Sequence, residues 1–129
     1  MYSSRLSFTI IVVEDHDDAR TSVGSFLRSL GANVILAKDG IEGLDAVKKH
    51  DPDLVITDLQ MPRMDGFQLL QEIRRLESSV RGSIPVIAMT AFATVLEKAR
   101  GMSAGFQGWM QKPFTSEELV ATILAVLDA

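Results

Sequence analysis

The sequence predicts an α/β fold in which five short strands alternate with five helices around one parallel sheet. Two observations carry that expectation. Runs of β-branched residues, each of strand length, recur between segments with helical spacing. Several of these runs are apolar on both faces, the pattern of strands covered by helices on both sides.

The first strand is expected at Phe8–Val13, ending against Glu14-Asp15. Ala19, Val23, Phe26, Leu27 and Leu30 mark the first helical stripe, which stops at Gly31, a residue suited to a C-terminal cap. In the acidic run Glu14 to Asp18, Asp17 or Asp18 is expected to cap this helix, with His16 solvated in the loop before it. Asn33–Ala37 forms the second strand. Ile41, Leu44 and Val47 mark the second helix, ended at Asp51-Pro52 because the residue before a proline is pushed out of the helical region. His50 lies near that helix end, where the helix dipole favours a cation.

The third strand is expected at Asp53–Asp58, with Met61 and Met64 packing beneath the loop that follows. Asp65 through Leu76 makes the third helix, with Phe67, Leu70 and Ile73 inward and Asp65 and Gln68 at capping-box spacing. Ile84–Thr90 is the fourth strand. The fourth helix, Ala93–Met102, has an apolar face made mostly of alanine and methionine. Gln107–Gln111 is the fifth strand. The last helix opens on the capping box Thr115-Ser116-Glu117-Glu118 and runs through Leu119, Ile123, Val126 and Leu127.

Right-handed crossovers leave few arrangements for such a chain. The leading one is the flavodoxin-like doubly wound (βα)5 fold with sheet order 2-1-3-4-5. At 129 residues the chain is long enough for one well-buried core. Residues 1–7 are expected as an N-terminal tail and 8–129 as one domain, with no second domain after the fifth helix.

Composition narrows the functional classes. Apolar residues make up 47% and charged residues 23%, as in ordinary globular proteins. The net charge is −4 and no basic run exceeds Arg74-Arg75, which argues against direct nucleic-acid or anionic-membrane binding. Without cysteine there is no disulfide or thiolate chemistry, and two distant histidines make a zinc site improbable. The apolar runs are too short to span a bilayer, and the polar opening does not read as a signal peptide. A cytoplasmic location is the expectation.

The chemistry is concentrated at strand ends. In an open parallel sheet every carboxyl end faces one edge, and strands 1, 3, 4 and 5 deliver Glu14-Asp15, Asp58, Thr90 and Lys112 to it. Strands 1 and 3 are neighbours in the expected order, so three carboxylates converge and repel. A hard dication resolves this, and Mg²⁺ commonly takes one or two carboxylates plus a phosphate. With its charge screened, Asp58 can attack phosphorus to give an acyl phosphate, Lys112 can hold one phosphoryl oxygen and Thr90 can donate to another.

Four motifs then stand in order and at matched spacing: Val13-Glu14-Asp15, Asp58-Leu59-Gln60-Met61-Pro62-Arg63-Met64-Asp65-Gly66, Thr90-Ala91 and Lys112-Pro113-Phe114. With them the chain resembles the receiver domain of two-component response regulators, from about Phe8 to Leu127. The resemblance implies that Asp58 is the phosphoacceptor and that Asp15 and Asp58 bind Mg²⁺ directly. It implies Glu14 as an outer-shell group, the Gln60 main-chain carbonyl as a further ligand, and Thr90 and Lys112 as binders of the phosphoryl group. Gln60 and Phe92 would influence how fast that group is lost.

The donor would be a histidine kinase or histidine phosphotransfer protein. An unknown downstream protein would read the surface of the fourth helix, fifth strand and fifth helix. A monomer or weak dimer is expected, since the fourth helix lacks large apolar residues. The family usually has tyrosine or phenylalanine three residues before the lysine, where this chain has Trp109. Its indole is bulkier and has an N–H to place, so Trp109 either packs as an edge residue or moves with Thr90 as a switch of altered amplitude.

Each residue alone has a plainer reading. Asp58 could be a turn residue, Thr90 a hydroxyl bonded to backbone, Lys112 a surface lysine and Pro113 a turn-former, although a cis Lys112-Pro113 bond would aim the ammonium into the site. Their agreement at four strand ends outweighs those readings. A haloacid-dehalogenase-type phosphohydrolase wants an aspartate two residues after the nucleophile, where Gln60 stands. A flavin or dinucleotide binder wants a glycine-rich loop after strand 1, where this chain is acidic. A degenerate receiver would lack one of the acids, the hydroxyl or the lysine.

Overall fold

A computed structural model of the protein describes residues 8–76, 82–91 and 94–128. The strands are β1 (Thr9–Val13), β2 (Asn33–Ala37), β3 (Leu54–Asp58), β4 (Val86–Thr90) and β5 (Gly108–Gln111). The helices described between them are α1 (Asp17–Ser29), α2 (Gly40–His50), α3 (Gly66–Arg74), α4 (Val95–Ala104) and α5 (Ser116–Leu127). All strand pairs are parallel and their order is β2-β1-β3-β4-β5. The expected doubly wound architecture is therefore the observed one.

Strand alternation divides the core into two layers. Ile10 and Val12 of β1, Leu54 and Ile56 of β3, and Ile87 and Met89 of β4 face Leu27 of α1 and Ile123 of α5. Ile11, Val13, Val55, Val86 and Ala88 face Val47 of α2 and Leu69, Leu70 and Ile73 of α3. Every residue of β3 and β4 is buried, as strands covered on both faces require. Each large aliphatic side chain sealed in this way contributes roughly 1.5–3 kcal/mol of transfer free energy.

Helix boundaries follow local chemistry. Asp39 caps α2 by accepting from the Glu42 amide at 2.8 Å, and α3 and α5 begin with complete capping boxes at Asp65/Gln68 and Thr115/Glu118. Asp51 closes α2 in the left-handed region, with Pro52 after it. One expected cap is corrected. His16, not Asp17 or Asp18, is the N-cap residue of α1; the two aspartates lie in the first turn, where their charge complements the dipole. Strands β1, β3, β4 and β5 begin one or two residues later than expected; at β4 the difference comprises Ile84 and Pro85, whose nitrogen cannot donate to a ladder.

Candidate functional site

The register of the sheet assembles the site. Val13 pairs with Thr57 and Asp58 pairs with Met89, so the residues just past Val13 meet the last residue of β3 at one edge. Gly66 allows the chain to turn back tightly there: a Cβ at that position would lie 2.5 Å from the Asp58 carbonyl oxygen and 2.9 Å from Leu59 Cα. Glycine at the start of α3 therefore holds this helix against the end of β3 and fixes where Asp58 emerges.

Asp58 is buried, and its side chain accepts from Lys112 Nζ at 3.0 Å through Oδ2 and from the Gln60 amide at 3.3 Å through Oδ1. Lys112 also donates to Glu14 Oε1, so one ammonium bridges carboxylates of β1's end and β3's end. The Lys112–Pro113 peptide is cis. Glu14 is fully buried, with its backbone carbonyl held by Arg20 Nη1 at 2.9 Å. Thr90 is buried at the end of β4, and its carbonyl accepts from the Lys112 amide at 2.8 Å.

Burial and charge oppose each other here. Burial pushes the Glu14 carboxyl above its usual range; the Lys112 hydrogen bond pulls it back, and the charge of Asp58 adds to the rise. Burial alone would lower the Lys112 ammonium, but its bonds to Glu14 and Asp58 more than offset this and raise it. The pair thus moves in one direction at both partners. Two carboxylates share a single lysine, and desolvation outweighs that share at Glu14.

Four groups could hold a cation. Glu14, Asp15, His16 and Asp58 each offer a donor atom, all within 4.8 Å of one another. Asp15 Oδ1 is sealed from solvent and accepts no hydrogen bond. A buried carboxylate oxygen without a donor is costly, and an oxygen-rich donor set of this size suits a hard dication. The residues present fit Mg²⁺.

Of the residues singled out in the sequence, Glu14, Asp15, Asp58 and Lys112 meet at this edge with Thr90 at the adjoining end of β4, whereas Trp109 does not join them. Trp109 lies on β5 away from the acids, half-buried, its ring against Gly101 of α4 and edge-on to Phe106 at 6.3 Å. Its indole nitrogen is buried without a hydrogen-bond partner. Phe92 lies outside the described residues. His16 was expected to be solvated in preference to tuning phosphotransfer; its side chain is exposed, and Nδ1 lies 3.3 Å from Glu14 Oε2 and 3.4 Å from Asp15 Oδ1. Its position directly after an acidic pair at a strand end was the available signal. Arg20 had no such signal, because only the folded turn brings it to the Glu14 carbonyl.

Comparison with known proteins agrees with this geometry. The family model for the response regulator receiver domain matches residues 10–124. This chain belongs to the response regulator receiver family. The receiver is 37% identical over 118 residues to the response regulator MprA of Mycobacterium sp. (strain KMS), covering 92% of this chain and 50% of that protein. It spans about half the length of the curated relatives it matches.

Among solved structures, the chemotaxis protein CheY4 of Vibrio cholerae matches with a TM-score of 0.85 at 31% identity, covering 92% of this chain and 97% of that one. The receiver domain of the sensor histidine kinase PA1611 of Pseudomonas aeruginosa matches with a TM-score of 0.86 at 30% identity, covering 96% of this chain and all of that one (100%). That structure has a magnesium ion coordinated in its active site cleft. A receiver is a phosphoacceptor: it catalyses its own phosphorylation and dephosphorylation rather than turning over a substrate.

Proposed function

We propose that Asp58 is the phosphorylated residue of this receiver and that Asp15, Asp58 and the Gln60 main-chain carbonyl bind Mg²⁺, with Glu14 in the outer shell. The observation that carries the reading is the Lys112 ammonium held between Glu14 and Asp58, at the edge where Asp15 Oδ1 is buried without a donor. One Asp58 carboxylate oxygen attacks phosphorus in line, and the bond from phosphorus to the donor's imidazole nitrogen breaks. The electron pair stays with that nitrogen, which leaves as histidine. Lys112 moves from the carboxylates to a phosphoryl oxygen, and the Thr90 hydroxyl donates to another. Bound Mg²⁺ supplies neutralising charge for the carboxylates and the transferring oxygens.

The donor is a histidine kinase or histidine phosphotransfer protein. A cleft of about 410 Å³ opens beside Lys112, lined in part by Ala19, Val23, Met89, Pro113 and Phe114, and such a donor can seat an apolar side chain there. Phosphorylation shifts a pre-existing equilibrium through contacts to Thr90 and Lys112, changing the α4-β5-α5 surface for a downstream protein. Trp109 moves with that switch. The protein works in the cytoplasm as a monomer or weak dimer; among the described residues no helix is long and apolar enough to cross a membrane.

Incubation with Mg²⁺ and acetyl phosphate, followed by intact mass and Trp109 emission, tests this. Wild type gains one phosphoryl mass and changes its emission. Asp58→Asn gains no mass, and Lys112→Ala gains mass without the spectral change. A label on any residue other than Asp58 would overturn the assignment.

A further inference from the structure

Resting on the reading of the acidic edge as a cation site, we infer that His16 contributes an imidazole nitrogen to it, which makes the site favour transition dications such as Mn²⁺ and Co²⁺ over Mg²⁺. Three observations lead there. His16 is one of four residues that each offer a donor atom within 4.8 Å of the others, and its Nδ1 lies 3.3 Å from Glu14 Oε2 and 3.4 Å from Asp15 Oδ1. Ligands around one six-coordinate ion with bonds near 2.1 Å sit roughly 3–4.2 Å apart. The 3.4 Å between His16 Nδ1 and Asp15 Oδ1, the pair that would both bind the ion directly, falls within that range.

His16 also stands at the N-cap of α1, yet its side chain makes no capping bond. Its backbone amide instead donates to Glu14 Oε2 at 3.2 Å, which turns the residue toward the acids. Burial does not hold the ring there, since the side chain is 75% exposed. The ring is spent neither on the helix terminus nor on the core; Nδ1 shares a hydrogen bond with Glu14 Oε2 at 3.3 Å and lies 3.4 Å from Asp15 Oδ1, the buried carboxylate oxygen of the cluster that accepts no hydrogen bond.

Ligand chemistry gives the consequence. Magnesium takes oxygen and keeps its waters, whereas imidazole suits the later first-row dications. An oxygen-only set discriminates weakly among these ions; adding one nitrogen raises affinity for Co²⁺ and Mn²⁺ and gives Mg²⁺ little. The competing account is that His16 is a second cationic partner for the acids, beside Lys112. Removing it would then change the binding of every dication by a similar factor.

The test compares wild type with His16→Ala and His16→Gln, titrated calorimetrically with Mg²⁺, Mn²⁺ or Co²⁺ alone, together with pulsed electron paramagnetic resonance of the Mn²⁺ complex. Wild type is expected to show ¹⁴N modulation from a directly bound imidazole, and both variants to lose it. The Co²⁺-to-Mg²⁺ affinity ratio should fall by about tenfold or more in His16→Ala. Absence of ¹⁴N modulation in wild type, or an equal change for all three ions, would overturn the inference. Intact mass of wild type after Mg²⁺ and acetyl phosphate separates the two readings. A mass gain without a nitrogen signal sinks the role of His16 alone; no metal binding and no mass gain sink both.

Discussion

α3 and α4 are neighbours over the same layer of the core, but they are held in opposite ways. α3 inserts Leu69, Leu70 and Ile73 among the strands and starts with a capping box. α4 has one buried residue, Gly101, and leaves Val95 and Leu96 more than four-fifths exposed. It receives a side chain instead of inserting one: a Cβ at 101 would lie 2.2 Å from Trp109 Cζ3. Arg100 adds a contact over the Phe67 ring at 4.1 Å, and Phe67 in turn meets Phe106 edge-on at 5.5 Å. Helix α3 therefore fixes the site, while α4 depends on few contacts and is where displacement costs least.

The largest expected effect breaks the anchored helix. Leu70→Ala should cost about 2–5 kcal/mol in urea unfolding, the range for emptying a sealed leucine position. Gly101→Ala comes next: overpacking typically costs about 1–3 kcal/mol, offset by roughly 1 kcal/mol of helix propensity. In a Trp109→Leu background the same change should become neutral or stabilising. If Gly101→Ala destabilises both backgrounds equally, the indole is not what glycine accommodates.

A smaller change concerns the loop leading into α3, where Arg63 Nη2 lies 2.5 Å from the buried Asp39 carboxylate. Bonds from the Glu42 amide and Arg63 hold Asp39 below its ordinary value of 3.8 despite burial. A depressed carboxylate stabilises the fold above its unfolded value, and that contribution is lost as pH falls through the folded one. Asp39→Asn keeps the cap and removes the charge, so it should cost about 0.5–1 kcal/mol at pH 7. The gap to wild type in urea midpoint should close below 3.8. Least of all, Leu96→Ser should stay within about 0.5 kcal/mol of wild type; a larger loss would mean that α4 packs through its exposed face.

The same contrast explains what could be read from sequence. Strands apolar on both faces up to their carboxyl ends, and helices with capping boxes and regular stripes, announce themselves locally, so β3, β4, α3 and α5 were legible to within a residue or two. Asp58, Thr90 and Lys112 were legible because a parallel sheet sends all its carboxyl ends to one edge. The Gly101–Trp109 fit was not, since it joins a helix that has no apolar stripe to an edge strand through shape alone. His16 and Arg20 were missed for a related reason: their roles depend on how one turn after β1 folds back, which no periodicity encodes. The N-cap of α1 was misassigned by residue preference, because aspartate caps helices better than histidine does.

The ammonium bridging Glu14 and Asp58 has a further consequence. A dication arriving at this edge finds carboxylates already part-neutralised, so loading is an exchange of one positive charge for another rather than simple capture. Trimming that lysine should therefore tighten metal retention even as it weakens the grip on phosphate, and a single side chain sets the balance between the two.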